Sequence, residues 1–199
     1  MLQYAIALTG GIATGKSSTI ALLSLYGFRF IDADKIAHEH LDNEHEAIAS
    51  MFGEEMVNAG KIDRKKLGTL IFNDVTKRRE LEELLHPLIY DTIMAKALEQ
   101  EKFKTPYMVD IPLFFETSRY PIKRSIVVYA TKQQQLQRLM RREGYTRNEA
   151  LCRIESQMDI EQKRSLATYV IDNSGDLKQL QEECERVKQQ ILDDFRGER

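Results

Sequence analysis

Short runs of apolar residues are separated along this chain by longer stretches in which apolar positions recur every three or four residues. Short runs of this kind are typical of strands buried on both faces of a sheet, and they cover residues 4–8, 28–31, 107–111, 125–130 and 168–172. The longer stretches predict helices, and they cover residues 17–26, 132–142, 147–164 (a pair of short helices) and 177–195. Alternating strands and helices predict an α/β fold with a five-stranded parallel sheet between two helical layers.

Two segments interrupt this alternation. Residues 41–104 are mostly helical in pattern, most clearly over 50–60 and 77–100, and proline at 87 is expected to break or kink the second stretch. Phe72, at helical spacing, is interpreted as a core residue. The second segment is strongly charged, because residues 132–164 contain eight Lys or Arg against five Asp or Glu. Insertions of this kind in α/β folds that handle nucleotides usually close over bound substrates.

The pattern therefore predicts one folded unit over residues 1–199 with three parts. These are a core (about 1–40, 105–135 and 165–199), a helical insertion (about 41–104) and a lid (about 138–164).

The composition of the chain disfavours several classes of protein. The chain has 199 residues, 42% of them hydrophobic, and a net charge of −2, which favours a soluble globular protein without a general attraction to nucleic acid or anionic lipid. No apolar run is long enough for a membrane span or a signal peptide. Cys152 and Cys184 lie far apart in charged helical segments, which favours reduced thiols and a cytoplasmic location. The sequence does not set the oligomeric state, and a monomer is plausible.

The most informative motif is GGIATGKS at residues 10–17, which matches G-x-x-x-x-G-K-[ST] at every fixed position. Glycines let backbone N–H groups turn inward around an anion, and the following helix points its positive end at the same place. A lysine near the β- and γ-phosphates and a serine hydroxyl on Mg²⁺ complete such a site. The predicted nucleotide-binding residues are Gly11, Ile12, Ala13, Thr14, Gly15, Lys16, Ser17 and Ser18, with Ser17 as the metal ligand.

A glycine-rich connecting turn does not explain the Lys-Ser pair, so the motif predicts a P-loop NTPase-type fold that binds ATP with Mg²⁺. It does not by itself separate a kinase from an ATPase or a GTPase. A guanine-reading Asn-Lys-x-Asp loop is absent from the sequence, which disfavours a GTPase. A basic stripe with interleaved aromatic residues is also absent, which disfavours nucleic acid as a partner.

Three carboxylates follow predicted strands. Asp32 and Asp34 come after the second strand, at the edge of the sheet where α/β folds bind ligands, and either one can orient a hydroxyl that attacks a phosphate. The alternative for one of them is an N-cap of the next helix. Asp110 ends the third strand and resembles the carboxylate that supports Mg²⁺ in P-loop proteins; the alternative is a solvated strand end. Glu116 is a less direct candidate for supporting the same Mg²⁺ ion.

Seven segments resemble the dephospho-CoA kinase family in order and spacing. The similarity runs from Leu8 to about Leu180 and includes LTGGIATGKS, IDAD, LLHPLI, DIPLFFE, QLQRLMRREG, RIESQM and KRSLATYVIDNSGDL. The resemblance implies a nucleotide-binding core, a helical CoA-binding domain and a lid. It also implies transfer of the γ-phosphate of ATP to the ribose 3′-hydroxyl of dephospho-CoA, the last step of coenzyme A synthesis. A different P-loop nucleotide or metabolite kinase is the alternative.

The resemblance also implies roles for single residues. Asp34 is expected to orient or deprotonate the hydroxyl, with Asp32 ordering the site. Arg142 is the first choice for a lid arginine that stabilises the transferred phosphoryl group, and Arg138 the second. His86 faces the substrate pocket or caps a broken helix.

The sequence departs from the family pattern at two places, and the role of one basic run is open. His38 stands where an arginine is usual, and residues 13–14 read Ala-Thr where Gly-Ser is common. The basic run at residues 61–66 binds the CoA diphosphate or forms a surface turn.

Overall fold

The computed structural model describes residues 2–197. The strands are β1 (Ala5–Gly10), β2 (Phe30–Asp32), β3 (Val57–Asn58), β4 (Lys61–Ile62), β5 (Tyr107–Asp110), β6 (Arg124–Tyr129) and β7 (Tyr169–Asp172). The helices are α1 (Lys16–Leu25), α2 (Ala33–Asn43), α3 (His45–Phe52), α4 (Arg64–Asn73), α5 (Val75–Glu101), α6 (Phe114–Thr117), α7 (Lys132–Glu143), α8 (Arg147–Glu155), α9 (Ile160–Leu166) and α10 (Leu177–Gly197), with a short 3₁₀ turn at Glu54–Met56. All five predicted core strands are present.

Five strands form one sheet in the order β2-β5-β1-β6-β7, and the pairs β1–β5, β1–β6 and β6–β7 are parallel. Every residue of β1 is buried, as expected for a central parallel strand covered on both faces. This confirms the predicted α/β fold with a mostly parallel sheet flanked by helices.

The chain divides into two compact units, of which the first contains residues 2–31 and 97–197. Its main core lies on one face of the sheet, where Ile6, Leu8 and Ile126 pack with Leu23 of α1 and Val187 of α10. A smaller cluster on the other face joins Val127 and Tyr129 to Ile160 of α9. Helices therefore cover both faces of the sheet.

The second unit covers Asp32–Lys96 and has its own apolar core. Ile48 and Phe52 of α3 pack with Leu67 of α4 and with Leu81 and Leu85 of α5. This unit overlaps the insertion predicted at residues 41–104, but the functional division into core, insertion and lid stays a prediction.

Local predictions in this unit were wrong at two places, residues 50–60 and Phe72. Of the two alternatives at Pro87, a break or a kink, the break is excluded and the kink stays a prediction. Residues 50–60 are not one helix, because Gly53 with φ 109° ends α3 and the antiparallel pair β3–β4 follows. The helix α5 continues through Pro87; proline removes one hydrogen-bond donor, and at this exposed position water can satisfy the carbonyl that loses it. Phe72 is 85% exposed and is not a core residue.

Two further observations concern location and redox state. Cys152 is exposed, Cys184 is buried, and both are free thiols. Among the helices of residues 2–197, none is both long and apolar enough to cross a membrane.

Candidate active site

The phosphate loop connects β1 to α1 and leaves the start of the helix open. Gly15 occupies the N-cap with φ 95° and ψ 22°, in the left-handed region, and has no side chain with which to cap the helix. The first amides of α1 therefore keep their N–H groups directed at the loop, where the helix dipole favours an anion. Ser17 and Ser18 are exposed in this first turn.

Two side chains pack closely against glycines of the loop. A Cβ atom on Gly15 would lie 2.0 Å from Asn173 Nδ2, and one on Gly11 would lie 2.6 Å from Gln135 Oε1. Ala13 has φ 61°, a conformation that costs an L-residue about 1 kcal/mol. The loop therefore accepts alanine at position 13, where glycine is common, at the cost of some backbone strain.

Lys16 and Asp110 form the main charged contact of the loop. Lys16 Nζ donates to Asp110 Oδ1 at 2.5 Å and to Asp110 Oδ2 at 2.6 Å. Asp110 is 6% exposed, so it is not the solvated strand end of the alternative interpretation. The structure brings the two predicted residues together, Asp110 at the end of β5 and Lys16 at the start of α1, in an ion pair that holds the lysine at the loop.

These residues fit the groups that the motif implies. The uncapped helix start and Lys16 suit the phosphates of a nucleotide. The Ser17 hydroxyl and the Asp110 carboxylate supply the hard oxygen ligands that Mg²⁺ prefers. Within residues 2–197 no group of three His, Cys, Asp or Glu side chains is placed to hold a metal by itself.

Asp32 and Asp34 lie at the start of α2. Asp32 is its N-cap, with Oδ1 accepting the N–H of Lys35 at 2.8 Å. Asp34 lies in the first helical turn and is exposed, as is His38 one turn later. The capping role predicted as an alternative for one of the pair thus belongs to Asp32, while its catalytic role and that of Asp34 stay predictions.

Arg138 and Arg142 lie one turn apart on α7 in different surroundings. Arg138 donates to the carbonyl oxygens of Thr14, at 3.4 Å, and Asn173, at 2.8 Å. The Arg142 side chain is 62% exposed and pairs with Glu143 at 2.6 Å. The structure therefore places the second-choice arginine at the phosphate loop and the first-choice arginine at the exposed end of the helix.

Two predicted substrate-binding features belong to the second unit. His86 is half-buried on α5. The basic run at residues 61–66 forms β4 and the first turn of α4, whose N-cap Asp63 accepts the N–H of Lys66 at 3.1 Å. It is therefore a strand and a helix start rather than a simple turn. Arg64 in this run pairs with Asp42 at 2.9 Å and holds the pKa of that carboxyl below its ordinary value against the opposing effect of desolvation.

Three residues that fix the loop were missed by the sequence reasoning. Asn173 Nδ2 donates to Thr14 O at 2.7 Å, and Gln157 Oε1 accepts the N–H of Ile12 at 2.8 Å. Lys163 is buried behind the loop. Its spacing of three from Ile160 places both on one face of α9, which was the available signal that this lysine points inward.

Comparisons by sequence and by structure relate this chain to known proteins. The family profile for dephospho-CoA kinase matches residues 4–179. The dephospho-CoA kinase of Sulfurimonas denitrificans is 53% identical over 95% of this chain and 94% of its own length. That of Helicobacter pylori strain J99 is 44% identical over 96% of this chain and 100% of its own length.

A solved structure shows the same relationship. The dephospho-CoA kinase of Campylobacter jejuni superposes with a TM-score of 0.72 at 33% identity, over 96% of this chain and 98% of that one. With the profile match over most of the chain, these similarities show that the chain belongs to the dephospho-CoA kinase family.

Proposed function

We propose that this chain transfers the γ-phosphoryl group of ATP to the ribose 3′-hydroxyl of dephospho-CoA by in-line displacement. Family membership supports an ATP-dependent kinase with this acceptor. The structural observation that carries the proposal is the contact of Lys16 with Asp110 beside the open start of α1. It provides a cation and free amides at one point, as phosphoryl transfer requires.

The residues of the chain have distinct proposed roles. Amides of the loop and Lys16 hold the phosphates, while Asp34 orients the 3′-hydroxyl. The hydroxyl oxygen forms a bond to the γ-phosphorus as the bond from that phosphorus to the bridging oxygen breaks. ADP leaves with the electron pair, and the hydroxyl proton passes to the Asp34 carboxylate. Asp32 fixes the start of α2 and so the position of Asp34.

We assign Mg²⁺ to Ser17, with Asp110 in support. When bound, the ion neutralises charge on the phosphates. Asp110 would then have two tasks, because its carboxylate also holds Lys16.

The lid is proposed to exclude water so that ATP is not hydrolysed. Arg142 is proposed to contact the transferred group when the segment 138–164 closes, and His86 to contact dephospho-CoA. The free thiols support a reducing compartment, and we propose a cytoplasmic enzyme.

The direct test is release of ADP by the purified protein with Mg-ATP, with and without dephospho-CoA, together with mass detection of the acceptor. We expect ADP release that depends on dephospho-CoA and a product heavier by one phosphoryl group. Lys16→Ala serves as the inactive control. Equal slow ADP release with and without acceptor, and no CoA formed, would refute the proposal. A panel of nucleoside and metabolite acceptors would then test the alternative P-loop kinase.

A further inference from the structure

Lys163 is a buried cation with no part in the reaction proposed above. It lies on α9 with 0% of its side chain exposed, and Glu116 Oε1 lies 2.8 Å from its Nζ. The same nitrogen donates to Gly10 O and to Pro112 O, each at 3.2 Å. An ammonium group has three N–H donors, so each of them has an acceptor here. A buried charge is tolerated only with such compensation, and the compensation fixes its geometry.

The acceptors of Lys163 belong to the two segments that carry the candidate active site. Gly10 ends β1 and begins the phosphate loop, six residues before Lys16. Pro112 comes two residues after Asp110, the partner of Lys16. The ammonium group of Lys163 therefore connects the loop that carries Lys16 to the strand end that carries Asp110.

The turn that precedes α9 is fastened to the same two segments. Gln157 Oε1 accepts the N–H of Ile12 in the loop at 2.8 Å. Glu116 Oε1, which pairs with Lys163, also accepts the N–H of Met158 at 3.0 Å. The segment 157–163 thus contacts the phosphate loop through its first and last residues, Gln157 and Lys163. It contacts Glu116 through Met158 and Lys163.

We propose that Lys163 is a positioning residue for phosphoryl transfer, which with Glu116 holds the first glycine of the phosphate loop and the strand end at Asp110 in fixed register. It acts through backbone carbonyls and does not touch the substrate. Without it, the carbonyls of Gly10 and Pro112 lose a shared donor. The pairing of Leu8 with Asp110 and the hydrogen bond from Thr9 Oγ1 to Pro112 O remain, so the loss falls on Gly10 and on the loop residues that carry Lys16 to Asp110. The expected effect of Lys163 on turnover rests on the proposed function. Its expected effect on nucleotide binding does not, because the loop binds a nucleotide without dephospho-CoA.

The test compares the parent with Lys163→Met, Glu116→Gln and the double variant. For each protein we would measure the melting temperature, the Kd for ADP with Mg²⁺ by calorimetry at 10 °C, kcat, and KM for dephospho-CoA. Each single variant leaves one charge without its partner and is expected to lower the melting temperature. The double variant removes both charges and is expected to recover most of that loss.

The positioning role predicts that function does not recover with stability. In the double variant the Kd for ADP should stay at least about five-fold above the parent value and kcat at least about ten-fold below it, because misplaced groups lose effective orientation. KM for dephospho-CoA should stay within about two-fold of the parent, since the acceptor is not bound by these groups. Lys132→Met is the matched control, because Lys132 forms an exposed pair with Glu155 at 2.9 Å. Its Kd for ADP should match the parent.

A Kd for ADP that returns to the parent value in the double variant, together with its melting temperature, would overturn the proposal and leave Lys163 a role in folding alone. Should the double variant fail to fold, Lys163→Met decides by the same ADP criterion at 10 °C, because it removes the donor to the Gly10 and Pro112 carbonyls while Glu116 keeps its hydrogen bond to Met158. A parent that binds ADP but forms no CoA would refute the proposed function, while the ADP comparison would still decide the role of Lys163.

Discussion

Arg138 and Asn173 donate hydrogen bonds to the same acceptor, the backbone carbonyl of Thr14 in the phosphate loop. Arg138 comes from α7 and Asn173 from the turn after β7, and the two are also bonded to each other through Asn173 O at 2.8 Å. Two elements distant in sequence therefore set the position of one loop carbonyl. We therefore expect Arg138 to act on nucleotide binding through the loop, a role that differs from the one proposed for Arg142.

The two arginines are distinguished by their effects on KM and kcat. Arg138→Ala removes a donor from Thr14 and is expected to raise KM for ATP about ten-fold, with a smaller change in kcat. Arg142→Ala is expected to lower kcat about 100-fold with KM for ATP nearly unchanged, as for loss of a contact made in the transition state. Steady-state kinetics at saturating dephospho-CoA measure both values. An Arg142→Ala protein with parent turnover would remove that residue from the catalytic group.

Lys16 is expected to be essential because it is the cation of the phosphate loop. Lys16→Ala should lower kcat at least about 100-fold and remove the contact that Lys16 Nζ makes with the Asp110 carboxylate, which is 6% exposed. Lys16→Arg keeps the charge but changes its shape, and we expect only partial recovery. Circular dichroism should show that both variants are folded. Turnover of Lys16→Ala within ten-fold of the parent would contradict the proposed role.

The phosphate loop and the strands could be predicted because their signals are local. The strand β1 begins with an apolar run at residues 5–8, as its burial on both faces requires, and the loop residues are contiguous. Gln157 contacts Ile12 across 145 positions of sequence, and no short motif encodes that contact. Phe72 was misassigned because helical spacing does not show whether another element covers that face.

Asp32 and Asp34 should respond differently to the same change of side chain. Asparagine is as good an N-cap as aspartate, so Asp32→Asn should keep the start of α2 and lose less than about ten-fold in kcat. Asp34→Asn keeps the shape but removes the group proposed to accept the hydroxyl proton, and kcat should fall at least about 100-fold. Both are measured as CoA formed per enzyme. Near-normal turnover of Asp34→Asn would exclude it as the base.

Gly15 and Gly144 offer a matched pair of left-handed glycines. Their φ angles are 95° and 71°, so alanine at either position is strained by about 1 kcal/mol. Of the two, only at Gly15 would the new Cβ collide with a neighbour, the Asn173 amide at 2.0 Å; at Gly144 no atom of the described residues lies within 4 Å beyond the glycine, the residues next to it and nearby helix backbone. Gly15→Ala should therefore weaken ADP binding at least about ten-fold, whereas Gly144→Ala should lower the melting temperature slightly and leave ADP affinity unchanged. Equal ADP affinities in the two variants would contradict this account.

Glu183 should make the stability of α10 depend on pH. Its carboxylate accepts from Arg186 Nη2 at 2.6 Å and from the N–H of Asp172 at 3.1 Å, so it joins α10 to β7. The hydrogen bond from Arg186 holds the pKa of Glu183 below its ordinary value of 4.5, although partial burial opposes this. A lowered pKa in the folded state means that the ionised form is favoured by folding. The stabilisation is therefore fully present above pH 4.5 and is lost as the pH falls through the folded-state pKa.

Glu183→Gln should accordingly lower the free energy of unfolding by about 1 kcal/mol at pH 7, and the difference from the parent should shrink below pH 4.5. Urea unfolding at several pH values between 7 and about 3.5, the range over which such a carboxylate titrates, measures it. Glu185→Gln is the control on the same helix, because Glu185 forms an exposed pair with Lys188 at 3.0 Å and such pairs contribute little. A difference between parent and Glu183→Gln that stays constant across this range would show that the stabilisation comes from the shape of the side chain and not from its charge.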